Sequence, residues 1–188
     1  MTMNLMRHSE LYANRLIAVL LICLCTIAGI AIADTVRDDL FEALKNATTE
    51  AEAKSIERDI WQSWIEAAPT PQLKSKVESA MRKREQYDFQ GGRDILDEVV
   101  KEAPSYAEGW NQRAFILFLQ GNYEASLNDI ERVLELEPRH FGALSGKAMI
   151  YMTLGRVKLG QETLREAVEI HPYLQERSML IKPKGVDL

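Results

Sequence analysis

The sequence predicts an all-α solenoid of three helical hairpins of equal length, preceded by a degenerate capping helical hairpin. The first observation behind this is that Pro104, Pro138 and Pro172 recur at a spacing of 34 residues. Between them, "PSYAEGWNQRAFILFLQGNYEASLNDIERVLELEP" and "PRHFGALSGKAMIYMTLGRVKLGQETLREAVEIHP" carry small, apolar and glycine positions in register. A fixed period of this length marks stacked helical hairpins, none of which can bury its apolar face alone.

Residues 1–33 come first. Arg7 and Arg15 precede an apolar run from Leu16 to Ile32, and Ala31, Ile32 and Ala33 stand before Asp34. This is the pattern of a secretory signal peptide ending in an A-x-A cleavage site. The run also reaches the lower limit for a bilayer span, so an uncleaved N-terminal membrane anchor is the alternative, with membrane contact confined to 16–32. In both cases the arginines stay inside and the following domain is exported. Cys23 and Cys25 are the only cysteines, and both lie in this run behind Ile22 and Leu24, unlike a bacterial lipobox. The body therefore has no thiol for a disulfide or a metal.

Residues 34–70 read as a degenerate N-terminal helical hairpin. Val36, Leu40, Phe41 and Leu44 form one apolar stripe at helical spacing, and Ile56, Ile60, Trp61, Trp64 and Ile65 form a second. Thr49 and Glu52 suit a capping box between them, and Ala67 to Pro71 interrupts the chain before the repeats. The hairpin lacks the small residues and the closing signature of the repeat. It is expected to cap the N-terminal end of the stack, with its tryptophans packed inward rather than displayed for docking.

The span 71–174 divides into units of about 73–106, 107–140 and 141–174. Ala80, Ala114 and Ala148 in the first helices face Gly92, Ser126 and Gly160 in the second, small residues at matching phase that let two helices approach. Gly121 and Gly155 supply a left-handed residue to end the first helix; the first unit has Tyr87 there instead. The closing prolines stop each second helix. Residues 175–188 are left as a short C-terminal cap or tail, with Tyr173, Leu174, Met179 and Leu180 as its apolar contacts and Pro183 and Gly185 ending it.

In the central unit, Trp110, Ala114, Leu117, Gly121, Tyr123, Ser126, Ile130, Val133 and Pro138 occupy aromatic, small, apolar, turn-glycine, aromatic, small, apolar, apolar and closing-proline places. This pattern resembles the tetratricopeptide repeat (TPR). The third unit repeats it at Leu144, Ala148, Tyr151, Gly155, Gly160, Leu164, Ala167 and Pro172. The first keeps Ala80, Phe89, Gly92, Leu96, Val99 and Pro104 but has Lys76 for a large apolar residue. The resemblance implies a TPR-type α-solenoid whose first helices line a concave groove that binds peptides. It places Met81, Phe115, Phe118, Met149 and Met152 on the groove floor, with Arg84, Asn111 and Ser145 as polar contacts. Methionine with phenylalanine suits an adaptable apolar site.

Composition and motifs exclude most other classes. Without Arg7, Arg15 and Glu10, residues 34–188 hold 21 basic and 27 acidic side chains, a formal charge of −6 that argues against general nucleic-acid binding. There is no phosphate loop, no G-x-S-x-G, no H-E-x-x-H and no calcium loop, so no enzyme and no cofactor is expected. His140 and His171 flank closing prolines and read as surface or capping residues. Glu135 and Glu137 read as solvated charge, and Lys74, Lys76, Arg82, Lys83 and Arg84 as a solvated helix face. The expectation is a non-enzymatic protein-binding scaffold or assembly factor of the bacterial cell envelope, in the periplasm or tethered to the inner membrane. The alternative is a self-assembling protein that uses the groove for homo-oligomerisation, or fills it with its own N-terminal hairpin.

Overall fold

A computed structural model describes residues 35–181. The expected signal segment or anchor, and the Pro183–Gly185 end of the tail, lie outside those residues. The described residues fall into two units, 35–40 and 41–181. Residues 35–40 of the first are helical.

Within the second unit the chain alternates helix and turn. Helix α1 ends at residue 46 of a helical stretch over 35–46. It is followed by α2 (Glu50–Glu66), α3 (Pro71–Glu85), α4 (Phe89–Glu102), α5 (Ala107–Leu119), α6 (Tyr123–Leu136), α7 (Phe141–Thr153) and α8 (Val157–Ile170). A short 3-10 helix, Gln175–Met179, comes last. The α3–α4, α5–α6 and α7–α8 pairs are the three predicted hairpins, and each packs on the next.

Local chemistry repeats with the sequence period. Thr49 caps α2 by accepting the Glu52 N–H at 3.2 Å, while Glu52 reaches back to the Thr48 N–H at 2.9 Å, one residue earlier than a standard capping box. The first helix of each hairpin ends in the same motif: Asp88, Asn122 and Arg156 N–H donate to Lys83, Leu117 and Tyr151 C=O. The left-handed residues this requires are Gly121 and Gly155, both at φ 73, and Tyr87 at φ 62. Tyr87 thus accepts a conformation that disfavours a Cβ, and its side chain is exposed.

The small residues act as predicted, in two chemically different ways. A Cβ on Gly92 would lie 3.2 Å from the Ala80 carbonyl oxygen, and one on Gly160 would lie 3.0 Å from that of Ala148. In the central hairpin Ser126 replaces glycine, and its Oγ donates to the Ala114 carbonyl at 2.8 Å. Ile116 leaves its own hairpin and joins the core around Leu73, Val77, Leu96 and Val99 in the preceding one. Arg113 also links neighbours: it grips Asp129 with two bonds of 2.7 Å and Asp97 with one of 2.9 Å. The paired carboxylates raise its pKa further.

The N-terminal hairpin does precede the stack, yet it reaches well past the end it was expected to cap. Helix α2 runs across successive turns between hairpins. Tyr106 at the first turn donates its hydroxyl to the Ile65 carbonyl at 3.1 Å, and burial holds that hydroxyl's pKa well above its usual value. At the second turn Trp64 stacks on His140, rings 3.8 Å apart and 8° from parallel, and Trp61 meets Phe141 edge-on at 5.6 Å. Arg139 of the same turn lies over the Phe41 ring of α1 at 4.2 Å. At the third turn His171 faces Glu57 at 3.4 Å, and Arg177 of the 3-10 helix approaches Glu50 at 3.6 Å. The tryptophans are therefore packing residues, but what they pack on is the middle of the stack.

Two surface expectations are corrected, although the capping half of the histidine reading holds for His140, whose ring caps α7. His140 and His171 are buried, at 0% and 1% exposure, because α2 covers the turns on which they stand. Of the two acids read as solvated, Glu135 is exposed but Glu137 is buried, where its carboxylate accepts the Arg139 N–H at 3.2 Å. The lysines of α3 are solvated but not idle: Lys74 pairs with Glu66, Lys76 with Glu98 and Glu102, and Lys83 with Asp88.

Candidate functional site

A cavity of about 940 Å³ opens on the first helices of the three hairpins. The odd-numbered helices α3, α5 and α7 form its floor because each repeat presents two faces at helical spacing, one turned to its own hairpin and one turned outward. Helix α2 and the residues around the 3-10 helix wall it in, contributing Glu57, Trp61, Tyr173 and Arg177 among others.

Seven of the eight residues expected at the groove line this cavity: Met81, Arg84, Asn111, Phe115, Phe118, Ser145 and Met149. Met152 does not. It turns into its own hairpin, where its Cγ would lie 2.5 Å from a Cβ on Gly160 and its Sδ accepts from Gln161 at 3.7 Å. The reason is its place near the end of α7, at the glycine gap where α8 comes closest.

The seven differ in what they can offer. Phe115 is 44% exposed, the largest apolar surface on the floor, and the Arg84 guanidinium lies over its ring at 4.7 Å. Burial lowers the Arg84 pKa, and its NH1 donates to Gln112. Phe118 is shared between groove and core: its ring meets Tyr123 at 5.9 Å, and it packs on the cluster of Ala114, Ile130 and Val133. Met81 is half-buried and packs on the first hairpin's core. Ser145 is buried, while Met149 is half-buried and accessible to the cavity.

Asn111 is turned to a different task from the one expected. Its Nδ2 donates to both oxygens of Glu108 at 3.2 and 3.3 Å, and it is 8% exposed. Glu108 itself is 1% exposed and also accepts from Gln112 Nε2 at 2.5 Å and lies 3.1 Å from His140 Nε2. His140 Nδ1 accepts the Ala143 N–H at 3.1 Å and so caps α7. That bond assigns the ring hydrogen to Nε2, which then donates to Glu108. A continuous polar path thus runs from Arg84 on the groove floor through Gln112 and Glu108 to His140, whose ring stacks on Trp64 of the α2 strap. The sequence offered no signal for Glu108, since a buried acid in a first turn looks like any acid at a helix N-terminus.

This geometry, three stacked hairpins with a concave face built from first helices, decides the family comparison. The tetratricopeptide repeat profile matches residues 107–140 and again 142–173. The chain carries tetratricopeptide repeats. A TPR repeat-containing protein of Rhizobium etli is 37% identical over 135 residues, covering 72% of this chain and 66% of that protein. The chain therefore spans slightly less than two thirds of that relative's length. A tetratricopeptide repeat protein 36 homolog of Nematostella vectensis is 32% identical over 68 residues, 36% of this chain and 37% of the relative. Among solved structures, the Sgt2 TPR domain from Aspergillus fumigatus superposes with a TM-score of 0.52 at 16% identity, over 64% of this chain and 91% of that one. MamA superposes with a TM-score of 0.51 at 12% identity, over 72% and 78%. At such identities the likeness is one of fold. The α3–α4 unit is outside the profile matches, in keeping with Lys76 and Tyr87 at two of its signature places.

Proposed function

We propose that this TPR solenoid is a non-enzymatic scaffold or assembly factor of the cell envelope, holding an apolar or amphipathic segment of a protein partner in its groove. The observation that carries the proposal is Phe115: a large aromatic side chain, 44% exposed, on the floor of a 940 Å³ concavity beside Met81 and Met149. An aromatic left open in a concave site is the usual anchor of a binding surface. The envelope setting is supported by the Arg7–Ala33 sequence pattern, read as an export signal or anchor.

The rival use of the groove is self-occupation, by a second copy of the chain or by the N-terminal hairpin. The strap takes one wall through Trp61 and Glu57 but leaves Phe115 exposed. Photocrosslinking in cells tests the proposal, with a crosslinking amino acid in place of Phe115 and, as control, of exposed Glu131 on α6. The proposal expects one heterologous protein crosslinked from 115 and not from 131. Crosslinks from 115 only to a second copy of this chain would replace it with homo-oligomerisation.

A further inference from the structure

The turn inside the third hairpin departs from its two counterparts in a way stacking does not explain. The six equivalent residues are Gln86, Tyr87, Asp88, Phe89, Gln90 and Gly91 in the first hairpin, and Gln120 to Ala125 in the second. In the third they are Leu154, Gly155, Arg156, Val157, Lys158 and Leu159, and all six are exposed. Leu154, Val157 and Leu159 are 44%, 46% and 47% exposed. Val157 holds the place of a half-buried ring in the other hairpins, Phe89 and Tyr123, so its apolar character belongs to the repeat. Leu154 and Leu159 do not share that reason. They stand where the other units have glutamine, and glycine or alanine.

Charge reverses at the same turn. Asp88 and Glu124 mark the first two tips, whereas Arg156 and Lys158 mark the third, in a chain of formal charge −5. The Lys158 side chain is 91% exposed, with Glu162 at 3.9 Å as its neighbour one turn along. The end of the stack is also covered already on another side. Gln161 Nε2 donates to the Met179 carbonyl at 3.0 Å and its Oε1 accepts the Ile181 N–H at 2.7 Å, so the chain after the 3-10 helix lies along α8. The tip is exposed, as are Glu162, Arg165, Glu166 and Glu169 farther along α8.

We propose that the α7–α8 tip docks on an anionic bilayer surface. Leu154, Val157 and Leu159 enter the boundary between headgroups and acyl chains, and Arg156 and Lys158 meet lipid phosphates. Three apolar side chains interleaved with two cations at one exposed turn supply both contributions to interfacial binding, apolar burial and attraction to anionic headgroups. A purely acidic protein surface would favour the cations but leave the three leucine- and valine-sized groups without an apolar counterpart.

Hydrogen exchange of the full chain tests this, with vesicles of phosphatidylethanolamine and phosphatidylglycerol, with vesicles of phosphatidylcholine, and without lipid. Because residues 16–32, if they act as an uncleaved anchor, would hold the chain to any bilayer, the readout is the exchange rate of amides 154–160 rather than bulk binding. The expected result is slowed exchange there with phosphatidylglycerol vesicles only, lost in the Arg156→Glu, Lys158→Glu double variant and reduced in Leu154→Ser, Leu159→Ser. Both variants change only exposed side chains, and circular dichroism checks that helicity is kept. Equal rates with and without anionic vesicles would overturn the proposal. So would slowing that appears without lipid as protein concentration rises, which would mark the tip as a contact between copies.

Discussion

The Glu108 carboxyl lies in the interior with donors from Asn111, Gln112 and His140 converging on it. Removing an acceptor from such a site strands every donor that faced it. Glu108→Ala should therefore cost about 3 kcal/mol of unfolding free energy, measured by denaturant titration; a loss below about 1 kcal/mol would mean that the three donors find other partners. Glu57 gives a pH dependence. His171 Nε2, 3.4 Å away and without a well-formed hydrogen bond, still holds the Glu57 carboxyl below its usual value, with Trp61 Nε1 at 3.4 Å contributing less. A carboxyl lowered on folding stabilises above its ordinary pKa of 4.5, and that contribution disappears as pH falls through the lowered folded value. Stability of Glu57→Gln, followed by thermal melting from neutral to strongly acid pH, should fall less steeply than wild type below about pH 4.5. Identical slopes would show that the strap contact adds nothing to acid sensitivity.

Helices and turns are the scale at which most of the chain was legible. Hairpin lengths, turn positions and the close-approach residues follow from a period of 34 residues and from glycine, alanine and proline at fixed phase. Ala114 is the sharpest case, 2% exposed with Ser126 bonded to its carbonyl. Ala114→Leu should destabilise by about 1–3 kcal/mol through overpacking, and an unchanged melting temperature would contradict the register. The path of α2 was not legible. Its stripe of Ile60, Trp61 and Trp64 identifies a helix with an apolar face, but a stripe does not say which surface that face meets. Here the partner surface is made of His140 and Phe141, the cap and first residue of α7, which have no periodic signature of their own. Trp64→Ala should cost about 3–5 kcal/mol, with the largest rise in hydrogen exchange at α2 and at the start of α7. A change confined to α3 would instead support a simple end cap.

For the whole molecule, stacking turns repeated first helices into one concave wall, and the strap turns that wall into a bounded site. Seven of the eight residues that the resemblance implied for the groove line the cavity, and residues at equivalent phase in stacked repeats line a common surface. Met152 lies outside the cavity, where the glycine gap draws its side chain inward, and no sequence pattern marks the commitment of Asn111 to a buried carboxylate. Phe118 sits between the two cases, which makes Phe115 the cleaner probe. The direct test is titration of the segment crosslinked from position 115 into wild type and Phe115→Ala, with thermal melting of both. The expected result is a loss of affinity of about tenfold or more with melting temperatures agreeing within about 2 °C. Unchanged affinity in Phe115→Ala would contradict a groove-binding scaffold.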